Sequence, residues 1–152
     1  MEKIFGILGC GISYTRSPEL HAQLGGYDYK VFDIKKEQLE EFFQKKNFSG
    51  INVTVPYKTE CIKYLDKISD EAEAIGAVNT IVNENGVLVG YNTDYYGFIK
   101  QAESIGVDYK GKTALVLGNG GASKAVIKAL YDLGVAKILI CSRSGEINYG
   151  NV

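Results

Sequence analysis

The stretch from Thr113 to Cys141 restricts the fold of this 152-residue chain more than any other. Thr113 to Leu117 is an unbroken apolar run, and the glycine-rich turn Gly118 to Gly121 follows it. Ala122, Ala125, Val126, Ala129, Leu130 and Leu133 then recur on one helical face, Gly134 closes the helix, and Lys137 to Cys141 is a second apolar run. Strands buried on both faces carry continuous apolar runs, and two of them joined by a helix form a βαβ unit with parallel pairing. The chain is therefore expected to be α/β. A doubly wound domain needs several such strands, so this unit is expected to be only the first part of one, cut short soon after Cys141.

The turn itself carries chemistry. Gly118, Asn119, Gly120, Gly121, Ala122 and Ser123 form a variant of the GxGxxG fingerprint, with Ser123 at the third glycine position. Glycine turns also join strands to helices without a ligand. Here the turn follows a strand and opens a helix, so backbone amides and the helix dipole can receive a pyrophosphate, as in a Rossmann-type domain. NAD enzymes usually place an acidic residue at the end of the next strand, but this chain has Ser142, Arg143 and Ser144. A guanidinium and two hydroxyls suit a 2′-phosphate, which favours NADP. No glycine-lysine-serine or glycine-lysine-threonine ending supports an NTPase phosphate loop.

Upstream, Gly50 to Lys58 reads GINVTVPYK. Side chains on a strand alternate, so Ile51, Val53 and Val55 are expected in a core while Asn52 and Thr54 share the opposite face. Pro56 ends the strand and should leave Lys58 at the mouth of a cleft. Around this segment the pattern predicts a strand over Ile4 to Leu8 and a helix entered at Ser17 and Pro18, with Ser17 as its cap. It also predicts a strand over Tyr29 to Asp33 and a helix over Lys36 to Lys45 with a Leu39, Phe42 and Phe43 stripe. Ile62, Leu65 and Ile68 suggest a further short helix. Val78 to Asn92 reads as a hairpin around Asn85 and Gly86, which pairs Glu84 with Val87 and brings Asn79 opposite Asn92, with Asp94 nearby. A helix from Tyr95 to Ile105, stopped by Gly106, follows; Asp94 is a candidate for its cap.

Composition excludes several classes. With 45% hydrophobic and 23% charged residues the chain has the make-up of a soluble globular protein. The formal net charge of -1, without a basic run, argues against a nucleic-acid surface. No stretch is long and apolar enough for a membrane helix, and no cleavable signal pattern surrounds Ile4 to Ile12, so a cytoplasmic location is expected. Cys10, Cys61 and Cys141 are far apart, with no CxxC pair and only His21 as a further ligand; buried free thiols are expected, with no disulfide and no metal site.

Five ordered segments, YTRSPELH, GINVTVPYK, IGAVNT, GYNTD and GNGGAS followed by SRS, resemble the shikimate dehydrogenase family over nearly the whole chain. The resemblance implies an N-terminal αβα substrate-binding domain with a mainly parallel sheet, over residues 1–100, and a partial Rossmann-type NADP domain over 101–152. It implies NADPH-dependent reversible reduction of 3-dehydroshikimate to shikimate in aromatic amino-acid biosynthesis. Lys58 and Asp94 would be the catalytic pair. Thr15 and Ser17 would bind the substrate carboxylate, and Asn52, Thr54 and Asn79, with Lys58 and Asp94, its ring oxygens. Cofactor contacts fall on Gly118, Asn119, Gly120, Gly121, Ala122, Ser123, Ser142, Arg143 and Ser144. A hydride added to a ketone creates an alkoxide, which needs a proton donor and a nearby positive charge, so a lysine is chemically suited.

The chain also departs from the family. Thr15 stands where serine is common, which leaves shikimate and quinate both open as substrates, and Ala22 stands where asparagine often follows His21, itself read as structural. The family's remaining NADP-domain strands and a late glutamine have no counterpart before Val152, so impaired turnover is expected. Quinate or dual quinate/shikimate oxidation, with NAD as an alternative cofactor, is the second reading within the family. A non-catalytic module that binds a small cyclic acid or nucleotide is the alternative outside it, and a homodimer is left open.

Overall fold

The computed structural model describes residues 3–143. Its first sheet has six strands in the order β2, β1, β3, β5, β6, β4, where β1 is Phe5–Gly9, β2 Tyr29–Asp33, β3 Gly50–Val53, β4 Lys67–Ile68, β5 Thr80–Glu84 and β6 Val87–Tyr91. β1 runs parallel to both β2 and β3, β4 is parallel to β6, and β5 is antiparallel to both its neighbours. One edge therefore collects the carboxyl ends of β1, β3 and β6 and the start of β5, which is where ligands of open α/β sheets gather.

The core beneath the sheet joins Leu8, Ile51, Val53, Ile81 and Leu88 to Leu39 and Phe43 of helix α2 (Leu39–Lys45). The expected helix over 36–45 divides into a 3-10 turn, Lys36–Gln38, and α2. Helix α1 (Ser17–Leu24) begins with Ser17 inside it, and the Ser17 side chain caps nothing; the Thr15 hydroxyl accepts the Ser17 N–H instead, at 3.3 Å. Val55 is 55% exposed rather than in the core, because the strand stops at Val53 and the chain turns, closed by the Tyr57 N–H donating to the Thr54 carbonyl. No α-helix spans 62–68. The three-residue spacing of Ile62 and Leu65 instead follows a 3-10 helix, Glu60–Tyr64, and Ile68 lies in β4. Of the three cysteines, Cys61 and Cys141 are buried but Cys10 is exposed in the loop after β1.

Asn85 and Gly86 both have positive φ, 55° and 93°, as a tight hairpin turn demands, and Glu84 pairs with Val87. Asn83 secures the hairpin by donating to the Lys46 and Phe48 carbonyls and accepting from the Gly86 N–H.

Helix α3 (Asp70–Ile75), capped by Ser69, and helix α4 (Thr93–Ser104) pack against helix α5 (Gly121–Asp132). α5 joins the parallel strands β7 (Thr113–Leu117) and β8 (Lys137–Cys141) into the expected βαβ unit. Ile75, Ala77, Ala125 and Tyr95 form the apolar contact between this unit and the six-stranded sheet. Around that contact the Tyr95 hydroxyl donates to Asp132, and Lys124 Nζ donates to the Gly76 carbonyl at 3.2 Å. Ile105, the expected last residue of this helix, is 60% exposed just beyond its end at Ser104. Among the described residues, no helix is long and apolar enough to cross a membrane.

Candidate active site

The turn after β3 and the start of α5 face each other across a cleft of about 450 Å³. Thr54, Pro56, Lys58 and Thr59 form one wall, and Asn119, Gly120, Gly121, Ala122 and Lys124 the other. Lys58 is held at both ends. Its carbonyl accepts the Val78 N–H at 2.7 Å, and its ammonium donates to Asp94 Oδ2 at 2.5 Å, with only 14% of the side chain exposed.

Asp94 is free for this pairing because it does not cap its helix. Asn92 caps α4 instead, its Oδ1 accepting the Tyr95 N–H at 3.3 Å while its Nδ2 donates to the Ala77 carbonyl at 2.8 Å. Asp94 thus sits in the first helical turn, where the helix dipole favours a carboxylate.

Behind Asp94 a chain of hydrogen bonds crosses the sheet from the start of β2. The Tyr29 hydroxyl donates to Asn52 Oδ1 at 2.6 Å, Asn52 Nδ2 to Thr80 Oγ1 at 3.4 Å, and the Thr80 hydroxyl to Asn79 Oδ1 at 3.1 Å. Asn79 Nδ2 completes the chain, donating to Asp94 Oδ1 at 2.8 Å. Every donor points towards the carboxylate, so the bonds polarise one another in the same sense. Asn79 also receives the Thr93 N–H at 2.9 Å, which fixes its amide orientation. Burial, and then the neighbouring Tyr27, push the Tyr29 phenol up to about 12, so it remains a donor. His21 stacks on the Tyr29 ring, with centroids 3.8 Å apart, and its Nδ1 contacts the Tyr27 hydroxyl at 2.7 Å, a packing role.

Thr15 lies in the loop that leaves the carboxyl end of β1 and Ser17 opens α1; the two bond to each other, Thr15 Oγ1 donating to Ser17 Oγ at 3.1 Å, and neither bonds to Lys58 or Asp94. Asp33 secures that loop, its carboxylate accepting the Gly11 N–H at 2.8 Å and the Ile12 N–H at 3.0 Å. Replacing Asp33 with alanine leaves the buried Ile12 amide without its charged partner and is expected to cost about 1–2 kcal/mol of stability. Urea melts of the two proteins would check this; an unchanged midpoint would contradict it.

On the opposite wall, Gly118 has φ +109° and its N–H donates to the Cys141 carbonyl, so the turn and the end of β8 share an edge. Ser142 is buried and Arg143 exposed beside that turn. Ser144 lies outside the described residues. Ser123 is occupied locally, its hydroxyl donating to the Gly120 carbonyl at 2.7 Å. Among the described residues, no cluster of His, Cys, Asp or Glu could hold a metal.

Tyr29, Thr80, Thr93 and Lys124 join the site without having been singled out by the sequence. Thr80 was within reach of sequence reasoning, since the hairpin register places it directly after Asn79. Its pairing with Asn52 depends on β3 and β5 meeting antiparallel, which no local signal specifies.

Known proteins resemble this chain in sequence and fold. The family described as the shikimate dehydrogenase substrate binding domain matches residues 7–81. The shikimate dehydrogenase (NADP(+)) of Caldanaerobacter subterraneus subsp. tengcongensis is 44% identical, the match covering 93% of this chain and 54% of that protein. The crystal structure of shikimate dehydrogenase 1 from Peptoclostridium difficile superposes with a TM-score of 0.91 at 37% identity, covering 97% of this chain and 62% of that one. Shikimate 5-dehydrogenase from Thermus thermophilus, solved in complex with NADP(H) and shikimate, gives 0.82 at 37% identity, over 93% of this chain and 56% of that one. The chain spans about half the length of the curated relatives it matches. Identity at this level across both the six-stranded sheet and the glycine turn, with the fold superposing throughout, means that the chain belongs to the shikimate dehydrogenase family.

Proposed function

We propose that this chain carries the substrate site and the first nucleotide-binding unit of an NADP-dependent shikimate dehydrogenase, which reversibly reduces 3-dehydroshikimate to shikimate. The observation behind this is the Lys58 ammonium, paired with Asp94 on one wall of a cleft whose other wall is the glycine turn. The solved relative from Thermus thermophilus, in complex with NADP(H) and shikimate, supports it. We place the division between a substrate half and a cofactor half near residue 100.

The turn fits a dinucleotide. Gly118 adopts a φ that side chains rarely adopt, and the space where a Cβ would stand on Gly120 is open, which leaves room for a pyrophosphate against the amides of α5. Arg143 would meet a 2′-phosphate. When bound, the nicotinamide supplies the hydride. In the reductive direction Lys58 gives a proton to the carbonyl oxygen as negative charge develops there, and it recovers that proton in the reverse direction. Asp94 holds the ammonium in place and accepts a ring hydroxyl. Asn79, Asn52 and Thr54 bind the remaining hydroxyls, and Thr15 and Ser17 donate to the carboxylate.

Turnover of 3-dehydroshikimate with NADPH and with NADH, and of shikimate and quinate in reverse, tests this assignment. Preferred use of shikimate and NADPH is expected. Replacing Arg143 with alanine should weaken NADPH binding by roughly 10- to 100-fold, the worth of one charged hydrogen-bonding partner, and leave NADH nearly unaffected. Equal losses for both cofactors would show that Arg143 does not read the 2′-phosphate.

A further inference from the structure

Gly121 is a glycine that the dinucleotide fingerprint does not require, since Gly118, Gly120 and Ser123 already fill its three positions. It also adopts no left-handed φ, so backbone conformation does not explain it. Its surroundings do. A Cβ built on Gly121 would stand 2.8 Å from Lys58 Cβ, 3.3 Å from Cδ and 3.4 Å from Cγ. The glycine thus lies directly on the stem of the lysine.

We infer that Gly121 is a positioning residue for Lys58: it lets the start of α5 close on the lysine stem and so keeps the ammonium on Asp94. The importance of this contact rests on the proposed role of Lys58, but the contact itself does not. Neither partner can yield cheaply. The tightest approach is to the Cβ of Lys58, which is tied to a backbone whose carbonyl is bonded to Val78, and Gly121 opens a helix packed against α3 and α4. An added methyl must therefore push the turn and the lysine apart. Gly120, one residue earlier, has nothing within 4 Å of its would-be Cβ, which makes it a matched comparison. Glycine to alanine at a compatible backbone position ordinarily stabilises a protein, so a loss confined to position 121 has to come from the contact.

The test is the rate at which an amine-acylating reagent modifies Lys58, followed by peptide mass spectrometry on the whole chain. In Gly121→Ala, Lys58 should react roughly 5- to 30-fold faster than in the parent, the factor expected when a packed arrangement is weakened by a modest clash. In Gly120→Ala its rate should be unchanged. Equal rates in all three proteins, or equal acceleration in both variants, would overturn the inference. If Gly121→Ala does not fold, Lys58→Gly/Gly121→Ala removes the opposing Cβ; its melting temperature should return to that of Lys58→Gly, and a double variant that also fails to fold would overturn the inference. A parent protein that shows no dehydrogenase turnover counts against the proposed function alone, because the labelling rates are read without substrate.

Discussion

Replacing Lys58 with alanine is expected to lower kcat by about 10²- to 10⁴-fold in the enzyme that carries these residues, the usual contribution of one general acid/base group. The expectation comes from geometry as much as from residue type. The Lys58 side chain is 14% exposed, its ammonium is paired with Asp94 at 2.5 Å, and the residue lines the cleft whose other wall is the glycine turn. A charge that only attracted an acidic substrate would act mainly on KM, whereas a proton donor acts on kcat. Lys58→Arg separates the two, because arginine keeps the charge and does not release its proton. Arginine should recover binding but not turnover. Near-normal kcat in Lys58→Ala, or full recovery by arginine, would remove Lys58 from proton transfer.

The largest loss of stability from a single polar substitution is expected at Asn92. This side chain is 1% exposed and does two things: its oxygen caps α4 and its amide satisfies the Ala77 carbonyl. Alanine removes a cap and strands a carbonyl beside the contact between the two sheets, for a combined cost of about 2–4 kcal/mol. The same change loosens the first turn of α4, which holds Asp94. Thermal and denaturant unfolding would read the stability, and substrate affinity at a temperature where the variant is folded would read the displacement of Asp94. A shift below about 0.5 kcal/mol, the range of ordinary surface changes, would contradict this role for Asn92.

The repeating features of the fold were legible because they depend on neighbours in sequence. Alternation in GINVTVPYK placed Ile51 and Val53 in the core, and Asn85 with Gly86 set the hairpin register that brings Asn79 near Asp94. The structure departs from the local pattern where a tertiary choice overrides it. Val55 continues the alternating pattern but lies past the end of the strand, and Ser17 before proline has the chemistry of a cap although Thr15 takes the neighbouring amide. Asn92 and Asp94 are both good caps, and only the buried Ala77 carbonyl decides for Asn92. Cys10 read as a buried thiol because cysteines usually are, but its loop runs along the surface. At the site, residue types pointed to Lys58, Asp94 and the asparagines, while Tyr29 and Thr80 enter through strand pairing across the sheet.

The proposed function depends on shikimate binding at the sheet edge where Lys58, Asp94 and Asn79 meet. A titration of shikimate into isotopically labelled protein, followed through the side-chain resonances of Lys58, Asn52, Asn79 and Asn83, examines that binding at the residues concerned. Asn83 lines a separate cavity of about 550 Å³ with Lys46 and Asn85, at the opposite end of β5, and serves as the internal reference. Saturable shifts are expected at Lys58, Asn52 and Asn79 with a common dissociation constant, and no response at Asn83. Shifts confined to Asn83, or none at Lys58 and Asn79 at saturating shikimate, would refute the placement of the substrate.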